Sequence, residues 1–141
     1  MNIPDKYFLT PQTKRLELKW LKKSIDAGSI DERMIPYLKR VNKIRGVVSD
    51  TCCSGHTKKE RPGRADSKLG FIMVKISKKR YLEIFFNQWS PYLWTGNYYY
   101  GGVSQLFWGD SCVVHFWWHR KNLDKAMEFA IKLLSGKLFV D

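Results

Sequence analysis

The sequence predicts a single α+β domain, a mainly antiparallel sheet with helices packed on it. Three observations carry this. Apolar residues recur at helical spacing near both ends of the chain. Between them lie strand-forming runs, "VVSDTCC", "LGFIMVKI" and "VSQLFWGDSCVVHFWW". The run of elements is helix, helix, strand, loop, strand, helix, hairpin, helix, with no glycine-rich phosphate fingerprint of a Rossmann domain. With 141 residues the chain can bury a core without staples. It shows no internal repeat and no linker.

Residues 1–10 read as an extended arm. From Thr13 to Asp26, Leu18, Leu21 and Ile25 recur at helical spacing, with Leu16 and Trp20 beside them and lysines opposite; Gly28 ends this helix. Ser29 and Glu32 have capping-box spacing, so a second helix starts there, with Met34, Leu38 and Val41 facing the core. Pro36 lies too deep for a clean first turn and predicts a kink or a short turn before the main helix. Gly46 closes it, and "VVSDTCC" is a short strand. Residues 56–68 are polar, basic and broken by Pro62 and Gly63, which makes a long exposed loop. "LGFIMVKI" is a strand. From Ser77, the spacing of Leu82, Phe85, Phe86 and Trp89 predicts a helix. "SPYLWTGNYYYGG" is turn-rich. The next segment is a hairpin with Gly109 and Asp110 at its turn. Asn122 caps a last helix, whose stripe is Leu123, Met127, Ala130, Ile131 and Leu134 before Gly136.

Lys and Arg total 25 against 13 Asp and Glu, a net charge of +12. Such an excess points to a polyanionic partner, nucleic acid before membrane. No apolar run approaches the ~20 residues that span a bilayer, and "MNIPDKYFLT" has no signal-peptide h-region. The expectation is a cytoplasmic protein without a membrane anchor. Three cysteines, two of them adjacent, make no disulfide framework, and no CxxC pair supports zinc.

The chemistry-bearing stretch is "TCCSGH", Thr51 to His56. Gly55 permits a positive φ, so successive N–H groups can converge on an anion, with hydroxyls from Thr51 and Ser54. Cys53 and His56 are three apart and can touch in a turn, the partnership a nucleophilic thiolate needs. A plain strand-end turn with buried cysteines explains the same residues.

Two ordered blocks extend the pattern. "AGSIDERMIPYLKRVNKIRGVVSDTCCSGH" has a Gly-Ser-Ile-Asp helix entry and a Cys-Ser-Gly motif, and "QLFWGDSCVVHFWWHRKNLDKAMEFAIKLL" has a strand histidine, His115. Together they resemble the tRNA wybutosine-synthesis methyltransferase family. His56 stands where that family's motif has arginine. The resemblance implies an α+β fold, S-adenosylmethionine as cofactor and methylation of a guanine derivative in tRNA. It implies catalytic roles for Cys53, Ser54, His56 and His115, and cofactor contacts at Thr51 and Gly55.

Basic residues suggest where phosphates dock. Lys58, Lys59, Arg61, Arg64 and Lys68 follow the motif, and Lys78, Lys79 and Arg80 open the next helix. If the two segments are neighbours they form one rim. In an extended segment Tyr98 and Tyr100 would share a face and stack nucleobases. "FWW" at 116–118 must place aromatics on both faces of its strand, so one side is exposed or meets another subunit through the hairpin. Two functions follow, a tRNA-modifying enzyme and a non-enzymatic binder of single-stranded DNA or RNA. A Cys-dependent hydrolase lacks a visible orienting acid near Cys53.

Overall fold

A computed structural model of the chain describes residues 3–57, 59–60, 62–63, 66–84, 95–98 and 101–137; at 95–98 and 108 it describes the backbone. The helices are α1 (Pro11–Asp26), α2 (Ile35–Asn42), α3 (Lys78–Leu82) and α4 (Leu123–Leu134). The strands are β1 (Val47–Cys53), β2 (Leu69–Ile76), β3 (Thr95–Tyr98), β4 (Gly101–Trp108) and β5 (Ser111–His119). Every pairing is antiparallel, and the order across the sheet is β1-β2-β5-β4-β3. The predicted α+β architecture is the observed one.

Local chemistry sets the element ends. Thr10 caps α1 by accepting from the Thr13 N–H at 3.1 Å, and Pro11 occupies the first turn, where its missing N–H costs nothing. The helix therefore starts two residues before the expected Thr13. The Ser29–Glu32 capping box does not form. Asp31 caps instead, accepting from the Arg33 N–H at 3.1 Å, and opens a 3₁₀ turn, Glu32–Met34. The short turn that Pro36 demanded is this one, and Pro36 then falls in the first turn of α2. Asn122 stands at the head of α4 but makes no capping bond through its side chain. A 3₁₀ turn, Arg120–Asn122, precedes α4, and in it His119 Nδ1 accepts from the Lys121 N–H at 3.2 Å.

Three other readings change. The N-terminal arm is not extended throughout: it holds a 3₁₀ turn, Asp5–Tyr7, with Ile3, Phe8 and Leu9 buried, and the Leu9 N–H donates to the Ile76 carbonyl at 2.9 Å. In α3 the buried residue is Tyr81, followed by Ile84, while Leu82 is exposed; Phe85, Phe86 and Trp89 lie outside the described residues. The turn-rich aromatic segment contributes β3, joined to β4 through Tyr98↔Gly101. The hairpin of β4 and β5 turns at Gly109 and Asp110 as read, with Gly109 at φ +59°, as a two-residue turn needs.

The sheet has two unlike faces. On one, Val47, Ile72, Val74, Ile76, Val114, Phe116, Trp118 and Val103 meet Leu38 and Val41 of α2 and the Leu123–Leu134 stripe of α4, forming the main core. On the other, α1 covers one end. Val48 and Val113 are buried there, apart from the main cluster. Lys75 reaches from β2 to Glu17 of α1 at 2.6 Å and lies 4.0 Å from Asp50.

A β-bulge in β1 shifts the register between Ser49 and Thr51, leaving Asp50 as the extra residue. Beyond it Cys52 stands opposite Ile72 on the core face, and Cys53 stands opposite Phe71 on the second face. Strict alternation from Val47 would have reversed the two cysteines.

Candidate functional site

The motif turn is braced from within the protein. Ser54 is fully buried. Its N–H donates to Asp31 Oδ2 at 3.1 Å, and its hydroxyl donates to the same carboxylate. Arg33 Nη2 donates to Ser54 Oγ at 2.8 Å and to the Gly55 carbonyl, while Nη1 meets Glu60 at 2.7 Å. Trp118 Nε1 donates to the Ser54 carbonyl at 3.1 Å. The His56 N–H donates to the Ser67 carbonyl at 2.8 Å, and Ser67 answers with its own N–H at 2.7 Å. The N–H groups of Ser54 and His56 thus already have protein acceptors. The His56 ring is buried, and its Nδ1 has no hydrogen-bond partner. No hydrogen bond joins it to Cys53 among the described residues.

Gly55 lies at φ +81°. A Cβ there would stand 2.6 Å from Arg120 Cβ and 3.1 Å from the Gly70 nitrogen. Its open side is therefore filled by the protein's own chain. With the Ser54 amide engaged as well, the turn does not fit a cradle for S-adenosylmethionine. Beside it lies a cleft of about 420 Å³ lined by Arg33, Tyr37, Arg120, Lys121 and Asp124. Burial, together with a hydrogen bond to Asp124, pushes the Tyr37 hydroxyl up to about 12, so it stays protonated.

Loop residues near the turn carry a second brace. The Thr57 N–H donates to Glu60 Oε1 at 2.9 Å, and the Glu60 N–H donates back to Thr57 Oγ1 at 3.2 Å. The Thr57 amide holds the Glu60 carboxyl below its ordinary range, with help from Arg33.

The other half of the candidate set meets on the second face of the sheet. Thr51 pairs with Met73, which pairs with His115, which pairs with Ser104. One step along, Cys53 pairs with Phe71, Phe71 with Trp117, and Trp117 with Gly102. Phe71, His115 and Trp117 are half-exposed and in ring contact. Phe71 to His115 is 6.0 Å between centroids, and His115 to Trp117 is 5.3 Å. Trp117 lies against Gly102, where a Cβ would come within 1.9 Å of the indole. Leu69 extends the patch and is 56% exposed. Burial lowers the His115 pKa, so this imidazole is neutral at pH 7.

Among the described residues, the basic segments do not form one rim. Lys68 is exposed immediately before β2 and Lys59 is exposed in the loop ahead of it, whereas Lys78, Lys79 and Arg80 follow the strand's end. Eight residues of strand separate them, about 26 Å at ~3.3 Å per residue. Lys78 pairs with Asp5 at 2.9 Å, and Arg80 pairs with Glu83 at 2.9 Å. Lys58, Arg61, Arg64 and Tyr100 lie outside the described residues, as does the side chain of Tyr98.

"FWW" does divide between the faces: Phe116 and Trp118 are in the core, and Trp117 is on the second face. Sequence reasoning missed Arg33, Arg120 and Phe71. Asp31 carried a signal, since it closes the Gly-Ser-Ile-Asp entry. Arg33 looked like any solvated helix charge.

No family model matches the chain, and no curated protein matches it. Among solved structures, the PH1069 protein from Pyrococcus horikoshii aligns over 90% of this chain and 89% of its own, with 15% identity and a TM-score of 0.47.

Proposed function

We propose that the protein binds tRNA or another single-stranded nucleic acid on the second face of its sheet, with nucleobases stacked on Phe71, His115 and Trp117. The observation that supports this is the half-exposed ring cluster on a chain of net charge +12. A sheet surface holds rings in fixed register, and every base offers a π-face to them. A neutral His115 stacks without the cost of desolvating a charge. Lys59 and Lys68 lie near the Leu69 end of the patch and supply phosphate contacts.

The experiment is binding of a fluorescent single-stranded RNA to Phe71→Ala and Trp117→Ala variants of verified fold. Each ring contributes about 1–3 kcal/mol when a base stacks on it, so affinity falls at least several-fold in each variant. Unchanged affinity in both defeats the proposal.

Methylation is a second reading of the same face, favoured by Thr51, Cys53 and His115 standing on it. It takes its cofactor from the resemblance, and the cofactor site would lie away from the Ser54–Gly55 turn. Calorimetry with S-adenosylmethionine decides it: specific binding supports the enzyme, and none, alongside tight RNA binding, supports the binder.

A further inference from the structure

Away from the motif turn, where β1 begins and β2 ends, α1 and α3 enclose a cavity of about 560 Å³. That volume is in the range of small-molecule sites. Its charged lining is Lys14, Arg45, Lys79 and Arg80 against one carboxylate, Glu83. Arg80 Nη1 holds Glu83 at 2.9 Å, and Arg80 Nε donates to the Arg45 carbonyl at 3.2 Å. The remaining cations are in excess.

Lys14 is the informative one. Its ammonium donates to the Ile44 carbonyl at 2.8 Å, and no carboxylate pairs with it among the described residues. Burial lowers its pKa. An ammonium partly withdrawn from water without a counter-ion carries a cost, and an anion in the cavity relieves it. The N-terminal end of α1, with Thr10 and Pro11, opens on the same space and adds the positive end of its dipole.

We propose that this cavity binds a phosphomonoester of mononucleotide size, held by Lys14, Arg45 and Lys79, with Arg80 engaged by Glu83. The site is independent of the aromatic sheet face. Arg45 and Lys79 are exposed and reach the phosphate from the rim. The source is a free nucleotide or the 5′-phosphate of an RNA end, and both present the same dianion.

The test is calorimetric titration of the folded protein with AMP, and with inorganic phosphate as a weaker probe. AMP binds the parent protein, and Arg45→Ala with Lys79→Ala weakens it at least tenfold. Glu83→Gln tightens it several-fold, because it removes the one acid and releases Arg80. That gain is a readout a purely structural role would not give. Phe71→Ala with Trp117→Ala leaves AMP affinity unchanged, which keeps this site distinct from the stacking surface. A 5′-phosphorylated trinucleotide that displaces AMP assigns the site to RNA ends; AMP binding without such competition assigns it to a free nucleotide. Failure of AMP to bind, or equal binding by the Arg45/Lys79 double variant, overturns the proposal.

Discussion

Gly55 shows how tightly one residue is specified. Its φ of +81° belongs to the region that β-branched residues cannot easily enter, and its missing Cβ is replaced by Arg120 at 2.6 Å. Gly55→Val therefore meets strain and overlap together. We expect it to lower stability by about 2 kcal/mol or more. Cys53→Ser, on a half-exposed position of the second face, changes stability by less than about 1 kcal/mol. Urea denaturation of both variants checks this, read as the transition midpoint at unchanged slope. Comparable midpoints would mean that Arg120 and the turn move apart freely. The need for glycine was legible in "CSGH". That it answers to Arg120 rather than to a ligand was not, because the contact joins residues far apart in sequence.

Helix α1 is held lightly by apolar packing, through half-buried residues such as Leu21. It has no fully buried residue, and Leu16 and Trp20 are 59% and 64% exposed. A polar tie joins it to the sheet at Lys75, bonded to Glu17 and near Asp50. Burial raises the Asp50 pKa, the Lys75 charge opposes that rise, and Glu17 adds to it. Lys75→Met leaves two half-buried carboxylates facing each other without their cation. We expect a loss of about 1–2 kcal/mol at pH 7.

The sign with pH follows from the raised carboxyl pKa. A carboxyl whose folded pKa lies above its unfolded value destabilises the fold where it is ionised. The deficit of the variant against the parent should therefore shrink as pH falls from 7 toward the ordinary carboxylate range near 4. Thermal melts of both proteins across that window measure it, and a deficit independent of pH would place the effect in packing.

Element type was largely legible, because periodicity of 2 and 3.6 survives in local sequence. The strand "LGFIMVKI" and the last helix needed nothing else. What escaped were features fixed by partners: β3, which exists by pairing with β4; the Asp31 cap, chosen over Ser29; and the bulge at Asp50, which decides that Cys53 and not Cys52 shares a face with His115.

At the scale of the molecule, charge among the described residues is spread rather than gathered. Lys59 and Lys68 lie near one end of β2, and Lys79, Arg45 and Lys14 near the other, with the ring cluster on the sheet between. A strand of nucleic acid on the second face would meet Lys59 and Lys68 at one end and rings at its middle, while the cations at the far end belong to the separate cavity. Each phosphate engaged contributes about −0.7 to the slope of log affinity against log salt for a single strand. The Lys59→Ala, Lys68→Ala variant should bind more weakly with a flatter slope, as filter binding between low and physiological salt will show. An unaltered slope would remove these lysines from the contact. Net charge was plain in the sequence; its division between two ends of one strand came only with the topology.

The bulge at Asp50 also bears on whether one molecule can recruit another. Strand β1 forms one margin of the sheet, and among the described residues the other margin is β3, four residues long. A long flat margin is a template on which a foreign strand can dock and, repeated, grow into fibrils. Here one margin is interrupted by an extra residue bearing a carboxylate, and the other is short. Aggregation by strand addition is thereby disfavoured in a protein rich in aromatic β-formers, and any self-association through the hairpin must rely on side-chain contact instead of a continued ladder.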